Sequence, residues 1–198
     1  MFFVIDGPDG CGKTTLINRL KESLGGHFVF VSDPGSTEYG KRIREVLKDK
    51  DVPMCRQAQI LAFTSARSQM VDEVIIPSLS AGRHVICDRY MCSTYVYQGI
   101  GVEDIVNLND KYCGRIVPDV NFILDVSYER MIDRMKMRGT SGNDRFEDDE
   151  RLKGIHAMYM GGIPDGVFGR IIHVNADKTA DEVFHDVLMM IKSMIMGM

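Results

Sequence analysis

A glycine-rich segment near the amino terminus, Gly7-Pro8-Asp9-Gly10-Cys11-Gly12-Lys13-Thr14, lies between a run that predicts a strand and a run that predicts a helix. The segment matches G-x-x-x-x-G-K-[ST] at every defined position. Its glycines allow backbone N–H groups to converge on phosphate oxygens, and the helix dipole adds favourable potential there. The segment therefore predicts a nucleoside triphosphate site in which Lys13 reaches the β- and γ-phosphates and the Thr14 hydroxyl binds Mg²⁺.

Short runs of β-branched or aromatic residues predict five strands, at 2–5, 27–31, 84–87, 120–126 and 170–174. Most of the runs are almost continuously apolar, which is typical of strands buried on both faces of a parallel sheet. Strands that alternate with helices through right-handed crossovers predict an α/β fold of the P-loop NTPase type, a five-stranded parallel sheet flanked by helices in three layers. Ligands of such sheets bind at the carboxyl ends of the strands.

Apolar residues at helical spacing predict six helices. They begin near residue 13, at Ser36 or Thr37, near 56, near 103, near 128 and at Thr179. The helix from about 128 runs into a polar, glycine-containing stretch at 138–143. Because no linker, repeat or low-complexity tract interrupts the pattern, we expect one domain over 1–198.

Composition excludes several classes of protein. A formal net charge of −4 argues against a dedicated nucleic-acid binder, which needs a basic face. No apolar run approaches the roughly 20 residues that cross a bilayer, and none resembles a signal peptide. The five cysteines include no C-x-x-C pair. We therefore expect a cytoplasmic protein with free thiols and no membrane partner.

Three further segments carry candidate site residues. Asp88 and Arg89 follow the third predicted strand directly. A carboxylate there can position Mg²⁺ or an attacking oxygen, and an arginine beside it can hold an anion. The alternative is an ordinary salt bridge between the two side chains. Phe63 and Arg67 are four residues apart and so share one face of the long helix. The ring of Phe63 can stack on a base while Arg67 donates to a base oxygen. The alternative is a ring in the core beside a solvated arginine.

A basic stripe leads into the glycine-containing stretch. Arg130, Arg134 and Arg138 are four residues apart, and Arg145 follows. Arginines on a mobile segment can neutralise charge on a transferring phosphoryl group. Arg130 fits a solvated face paired with nearby acids better, whereas Arg138 and Arg145 fit a catalytic role.

Together these segments resemble thymidylate kinase over nearly the whole chain. The markers are the segment from Asp6 to Thr15, then Asp33-Pro34-Gly35-Ser36-Thr37 with Gly40 and Ile43-Arg44, Leu61-Ala62-Phe63 with Arg67, Ile76-Pro77, Asp88-Arg89-Tyr90 with Ser93, Tyr97-Gln98-Gly99, Pro118-Asp119, Leu124-Asp125, Arg138-Gly139 and Asp144-Arg145-Phe146-Glu147.

The resemblance implies transfer of the γ-phosphoryl group of ATP to dTMP, with Mg²⁺, in dTTP synthesis. Phe63 would stack on the thymine ring, and Arg67 would donate to its carbonyl oxygen. Arg89 would hold the 5′-phosphate of dTMP, with Arg44 as a further candidate. Tyr97 would crowd the 2′ position and so select deoxyribose. The family usually forms homodimers, and a lid segment at about 138–153 is implied.

The remaining implied roles complete each site. Asp9 would lie near the sugar 3′-hydroxyl and the magnesium, Thr94 against the base edge, and Asn175 in the adenine pocket. The implied dTMP-binding residues are Asp9, Arg44, Phe63, Arg67, Arg89, Ser93, Thr94, Tyr97 and Gln98. The implied ATP-binding residues are Gly7, Pro8, Asp9, Gly10, Cys11, Gly12, Lys13, Thr14, Thr15, Arg134, Asn175 and Ala176. The implied catalytic residues are Lys13, Asp88, Arg89, Arg138 and Arg145, with Thr14 and Asp88 on the metal.

Some positions depart from the family pattern. Asp6 stands where glutamate is common, and Ser32-Asp33-Pro34 replaces Arg-Glu-Pro, so an arginine contact common in the family is missing. The phosphate loop carries no arginine, which implies the bacterial-type arrangement with catalytic arginines in the lid. Three alternatives stay open from the residues: a kinase for a modified deoxynucleotide such as 5-hydroxymethyl-dUMP, a non-catalytic nucleotide sensor, and a nucleoside kinase.

Overall fold

A parallel sheet of five strands forms the centre of the protein, as the sequence predicts. The computed structural model describes residues 1–137 and 149–197. The strands are β1 (Phe2–Asp6), β2 (Phe28–Ser32), β3 (His84–Asp88), β4 (Val120–Asp125) and β5 (Arg170–Asn175). Their spatial order is β2-β3-β1-β4-β5, and every neighbouring pair is parallel.

Helices surround the sheet, and two of them begin with side-chain caps at predicted positions. Thr37 accepts a hydrogen bond from the Gly40 amide, and Thr179 and Glu182 bond each other's backbone in a capping box. The helices are α1 (Lys13–Leu24), α2 (Glu38–Lys48), α3 (Arg56–Met70), α4 (Ile76–Ser80), α5 (Met91–Gln98), α6 (Val102–Tyr112), α7 (Tyr128–Met137), α8 (Asp149–Ala157) and α9 (Ala180–Met196). Wider π turns occupy Val71–Ile75 and Met158–Gly162, and a 3₁₀ turn occupies Gly25–His27.

Two apolar cores lie on opposite faces of the sheet. Phe2 and Val4 pack into one core, and Phe3 and Ile5 pack into the other. All residues of β1 are buried, because consecutive side chains of a strand point to opposite faces and both faces are covered. This explains why the strands read as continuous apolar runs.

Two helices were not predicted from the sequence. Six of the eight residues of α5 are buried, so the helix has no polar face that would reveal helical periodicity. In α8 only Leu152 and Ile155 are buried, and the rest of the helix is mostly polar. The predicted lid at 138–153 falls mainly outside the described residues, and its last five positions belong to α8.

The strand register brings functional loops to one edge. Ile5 pairs with Asp88, Asp6 with Ile123 and Asp125 with Asn175, so all four strands end on the same side of the sheet, with β4 and β5 extending slightly beyond β1 and β3. The segments that follow these strands therefore meet at the carboxyl edge of the sheet. No helix in the described part of the chain is both long and apolar enough to cross a membrane.

Candidate active site

The glycine-rich loop after β1 takes a conformation that only glycine adopts easily. Gly7, Gly10 and Gly12 have φ of 145°, 82° and 104°. A Cβ atom on Gly10 would lie 2.7 Å from the carbonyl oxygen of Met131, and one on Gly7 would lie 2.9 Å from Cys11 Sγ. The loop therefore packs closely against both itself and α7.

Lys13 is the first residue of α1, and its side chain folds back across the loop. Its Nζ donates to the carbonyl oxygens of Gly7 and Pro8, both at 2.8 Å. Nζ also lies 3.5 Å from Cys11 Sγ, which is a weak acceptor. An ammonium group has three N–H donors. One of them can therefore hydrogen-bond a phosphate oxygen while the two contacts with carbonyl oxygens keep Lys13 in place.

A cavity of about 270 Å³ lies beside the loop, and Arg134 forms part of its wall. Arg134 Nη1 donates to the carbonyl oxygen of Cys11 at 3.3 Å, and Nη2 donates to that of Ala176 at 3.1 Å. Thr15 and Ala176 also line the cavity. Asn175 lies at the adjacent end of β5 and is exposed. Arg134 thus connects the loop to the segment predicted to hold adenine.

Arg89 connects the end of β3 to the same loop. Its backbone is left-handed, with φ of 68°, and its amide donates to the carbonyl oxygen of Ile5 at 3.0 Å. Nη1 donates to the Gly7 carbonyl oxygen at 3.2 Å and to Ser93 Oγ at 2.9 Å. Nη2 donates to Asp9 Oδ1 at 2.5 Å. A predicted acceptor-side cation is therefore in direct contact with the predicted triphosphate site.

The surroundings of Arg89 keep it charged. Burial by itself would lower the pKa of Arg89, but Tyr97 and Asp9 act in the opposite direction and the net pKa lies well above the usual value. Burial by itself would raise the pKa of Asp9, but the charges of Arg89 and Lys13 leave it below the usual value. Tyr97 donates its hydroxyl to Asp9 Oδ2 at 3.0 Å, and its ring lies 5.0 Å from the guanidinium carbon of Arg89.

Arg67 lies inside the protein, so the alternative of a solvated arginine is wrong. Its Nε donates to Asp33 Oδ2 at 2.6 Å, and its Nη2 donates to Thr94 Oγ1 at 2.6 Å. Burial by itself would lower the pKa of Arg67, but the charge of Asp33 raises it above the usual value. Burial raises the pKa of Asp33 despite the opposing charge of Arg67. Phe63 lies one turn before Arg67 on α3 and stays half-buried.

The carboxylates at the strand ends fit a magnesium ion. Asp88 Oδ1 and Asp6 Oδ2 are buried and have no hydrogen-bond partner among the described residues. The Thr14 residue is exposed at the loop. No three His, Cys, Asp or Glu side chains cluster as a metal cage within residues 1–137 and 149–197. Mg²⁺ needs no such cage, because it commonly takes one or two carboxylates, waters and substrate phosphates.

The other predicted site residues take varied positions. Gln98 is 6% exposed, and its Nε2 atom has no partner in the described part of the chain. Arg44 is exposed on α2 and donates to the Pro34 carbonyl oxygen at 2.9 Å. Arg138 and Arg145 lie outside the described residues.

Sequence analysis missed two residues of this region, Asp33 as the partner of Arg67 and Tyr159. Tyr159 is fully buried, and its hydroxyl lies within hydrogen-bond distance of Asp6, Ser93 and Arg89. No motif surrounds Tyr159, and only the fold brings it to the site from the π turn after α8.

Comparisons with known proteins agree on one family. The family profile described as thymidylate kinase matches residues 5–187. A thymidylate kinase of Caldicellulosiruptor saccharolyticus is 36% identical over 98% of this chain and 97% of its own length. One of Thermoanaerobacter sp. is 37% identical over 74% of each chain, and one of Exiguobacterium sp. is 34% identical over 95% of this chain and 92% of its own.

Proposed function

The chain belongs to the thymidylate kinase family, and from that premise we propose that the residues at the carboxyl edge of its sheet transfer the γ-phosphoryl group of ATP to dTMP, giving dTDP and ADP. The contact between Arg89 and the phosphate loop carries this proposal. Arg89 Nη1 lies 3.2 Å from the Gly7 carbonyl oxygen. A phosphate held by Arg89 would thus lie beside the phosphates of a nucleotide in the loop.

The loop and its lysine would bind ATP. Backbone N–H groups of the loop and the start of α1 suit phosphate oxygens. Lys13 would give its third donor to the β- and γ-phosphates and stabilise the charge that moves between them. The cavity beside Arg134 and Ala176 would take the adenine.

Phosphoryl transfer in this site depends on the positioning of the two substrates and not on a covalent intermediate with the protein. The attacking atom of dTMP is an ionised phosphate oxygen, so no strong general base is required. Arg89 would orient that phosphate, and Tyr97 would exclude a 2′-hydroxyl. Phe63 and Arg67 would recognise the base by stacking and by donation to a carbonyl oxygen. Holding both reactants in line supplies much of the rate acceleration.

Magnesium fits the Asp88 carboxylate and the Thr14 hydroxyl. When bound, Mg²⁺ neutralises charge on the transferring phosphoryl group. The buried, unpartnered Oδ1 of Asp88 supports this assignment, because a buried charged oxygen is costly without a ligand. We also assign Arg138 and Arg145 to transition-state neutralisation, because the loop itself supplies no arginine.

A panel assay tests the function. ADP release is measured with ATP and, in turn, dTMP, dUMP, 5-hydroxymethyl-dUMP, dCMP, dGMP and thymidine. We expect the highest kcat/KM with dTMP, in accord with the names of the relatives. If kcat/KM were higher with 5-hydroxymethyl-dUMP or thymidine, that compound would be the acceptor instead of dTMP. If no acceptor gave ADP release, the proposed kinase activity would be rejected.

We further propose that the protein acts in the cytoplasm, as a homodimer formed through α3 and its neighbours. Leu61 on α3 is 59% exposed. Tyr39 Oη donates to Ser65 Oγ on one flank of α3, and Ser68 Oγ donates to the Tyr112 carbonyl oxygen on the other. Tyr39 and Tyr112 are themselves 46% and 50% exposed, and several exposed apolar or aromatic side chains on and beside one helix favour an interface.

Leu61→Glu tests this interface by sedimentation velocity. We expect a dimer for the unchanged chain and a monomer for Leu61→Glu, because a C₂ interface places the new charge near its own symmetry mate. As a matched control, Met189→Glu changes an exposed apolar side chain on α9 and should stay dimeric. A dimer that tolerates Leu61→Glu would move the interface elsewhere.

A further inference from the structure

Tyr159 completes a buried hydrogen-bonded cluster that joins three separate parts of the chain. It comes from the π turn after α8, whereas Asp6 ends β1 and Arg89 follows β3. Tyr159 Oη donates to Asp6 Oδ1 at 2.8 Å and lies 3.0 Å from Ser93 Oγ. It lies 3.3 Å from Arg89 Nη1. The function proposed above uses Arg89 but assigns nothing to Tyr159.

Oδ1 of Asp6 is the acceptor that the two hydroxyls of this cluster share. Tyr159 and Ser93 each have a single hydroxyl hydrogen, and each is 2.8 Å from Asp6 Oδ1. The shorter contacts are the two to Asp6, so we take both hydroxyls as donors to its carboxylate oxygen and not to each other, although they lie 3.0 Å apart. Their lone pairs are then available to Arg89 Nη1, which donates to Ser93 at 2.9 Å. Its second hydrogen is shared between Tyr159 at 3.3 Å and the Gly7 carbonyl oxygen at 3.2 Å. Asp6 therefore orients both hydroxyls as acceptors for Arg89.

Tyr159 suits this role because it stays protonated and fixed. Burial raises the pKa of Tyr159 well above its usual value, so the hydroxyl stays available as a donor to Asp6. Its ring packs edge-on against the ring of Tyr97, with centroids 6.2 Å apart, and Tyr97 itself contacts Arg89. π turns inside helices are frequent at functional sites.

We propose that Tyr159 is a positioning residue for phosphoryl transfer, whose hydroxyl, held by Asp6, fixes the guanidinium of Arg89 for the 5′-phosphate of the acceptor. Tyr159 does not touch the substrate in this role; it acts through Arg89. The inference rests on the proposed function, because it takes Arg89 as the ligand of that phosphate. It predicts that the hydroxyl matters for an acceptor that carries a phosphate and not for one that lacks it.

Tyr159→Phe removes the hydroxyl and keeps the ring. Binding of dTMP and of thymidine is measured by calorimetry for both proteins, together with KM for dTMP and ATP. A hydrogen bond to a charged group accounts for roughly a tenfold change in affinity or more. We expect about a tenfold weaker affinity and higher KM for dTMP, and unchanged thymidine affinity and KM for ATP.

Two controls separate positioning from general damage. Tyr95→Phe removes a hydroxyl from a half-buried tyrosine on α5 whose ring packs on Phe168 with centroids 5.5 Å apart, and it should bind dTMP as the unchanged chain does. In an Arg89→Lys background, adding Tyr159→Phe should weaken dTMP binding by less than in the unchanged chain, because residues that act together are not additive.

Each remaining result has a defined meaning. Equal weakening of dTMP and thymidine, full additivity with Arg89→Lys, or unchanged dTMP affinity in Tyr159→Phe would overturn the positioning role while the proposed function stands. If the unchanged chain bound no dTMP, the proposed function would fail and this inference with it.

Discussion

The guanidinium of Arg67 and the carboxylate of Asp33 lie 2.6 Å apart in the interior of the protein, and their side chains keep only 3% and 2% of their surface exposed. The pair joins α3 to the segment after β2, and Thr94 adds a contact to α5. Breaking one side of a buried ion pair leaves the other charge without compensation, at a cost of about 3–5 kcal/mol. Arg67 therefore has a structural role besides the base recognition that we propose for it.

Arg67→Ala should raise KM for dTMP far more than KM for ATP and should also lower Tm. The first effect follows from the loss of a donor to the base, and the second from the unpaired Asp33. Steady-state kinetics and thermal melts measure both. The double variant Arg67→Met with Asp33→Asn removes both charges, so it should recover much of the stability without recovering KM for dTMP. Recovery of both would assign Arg67 to structure alone.

Lys13→Ala should reduce kcat by a factor of about 10² or more, because it removes a donor that stabilises transition-state charge. The fold should persist, since among the described residues the side chain bonds atoms of its own loop, the carbonyl oxygens of Gly7 and Pro8 and the sulfur of Cys11. ADP release and circular dichroism test the two statements. Lys21→Ala changes an exposed lysine on the same helix and should keep normal turnover. A normal kcat in Lys13→Ala would contradict the proposed role of the phosphate loop in the reaction.

Asp88→Asn should raise the Mg²⁺ concentration that gives half-maximal activity, because it removes charge from the oxygen without a partner. The measurement is a Mg²⁺ titration at saturating ATP and dTMP. Asp125→Asn is the matched control, since Asp125 also ends a strand of the sheet but lies 2.8 Å from His173 Nδ1. If both variants shifted the titration equally, Asp88 would have no special role toward the metal.

Stability should depend on pH through Asp9. Arg89 and Lys13 outweigh the effect of burial and hold the pKa of Asp9 below its usual 3.8. Between the lowered pKa of the folded protein and the usual pKa of the unfolded chain, the unfolded chain binds more protons. The contribution of Asp9 to the free energy of unfolding is therefore complete above about pH 4 and is lost as the pH falls.

Urea unfolding at about pH 5 and about pH 3 measures this contribution. Between the two pH values, the free energy of unfolding of Asp9→Asn should fall by less than that of the unchanged chain. Asp51→Asn, at an exposed surface position, should behave like the unchanged chain. Identical losses for Asp9→Asn and the unchanged chain would contradict the role of Asp9.

The strands and several helix ends could be predicted because their determinants are local. A buried strand such as Phe2–Asp6 needs only consecutive apolar residues, and the caps at Thr37 and Thr179 depend on neighbours within three positions. The helix Met91–Gln98 could not be found in this way, because it is buried on most sides and carries no polar stripe.

The same distinction applies to the site. Lys13 and its loop form a continuous motif, so sequence alone could predict them as a site. The partnership of Arg67 with Asp33 spans 34 positions, and that of Tyr159 with Asp6 spans 153. Such contacts depend on how α3, the π turn and the sheet pack together, and no periodicity within one segment encodes that packing.

The left-handed backbone of Arg89 has a consequence for how this enzyme can evolve. A non-glycine residue in that region costs about 1–2 kcal/mol, which glycine would recover. The side chain of Arg89, however, donates to Asp9, Ser93 and the Gly7 carbonyl oxygen, and glycine would lose these contacts and leave the Asp9 carboxylate without its cation. Stability and the proposed contact with the acceptor therefore both favour arginine at position 89, which leaves evolution little freedom to replace it.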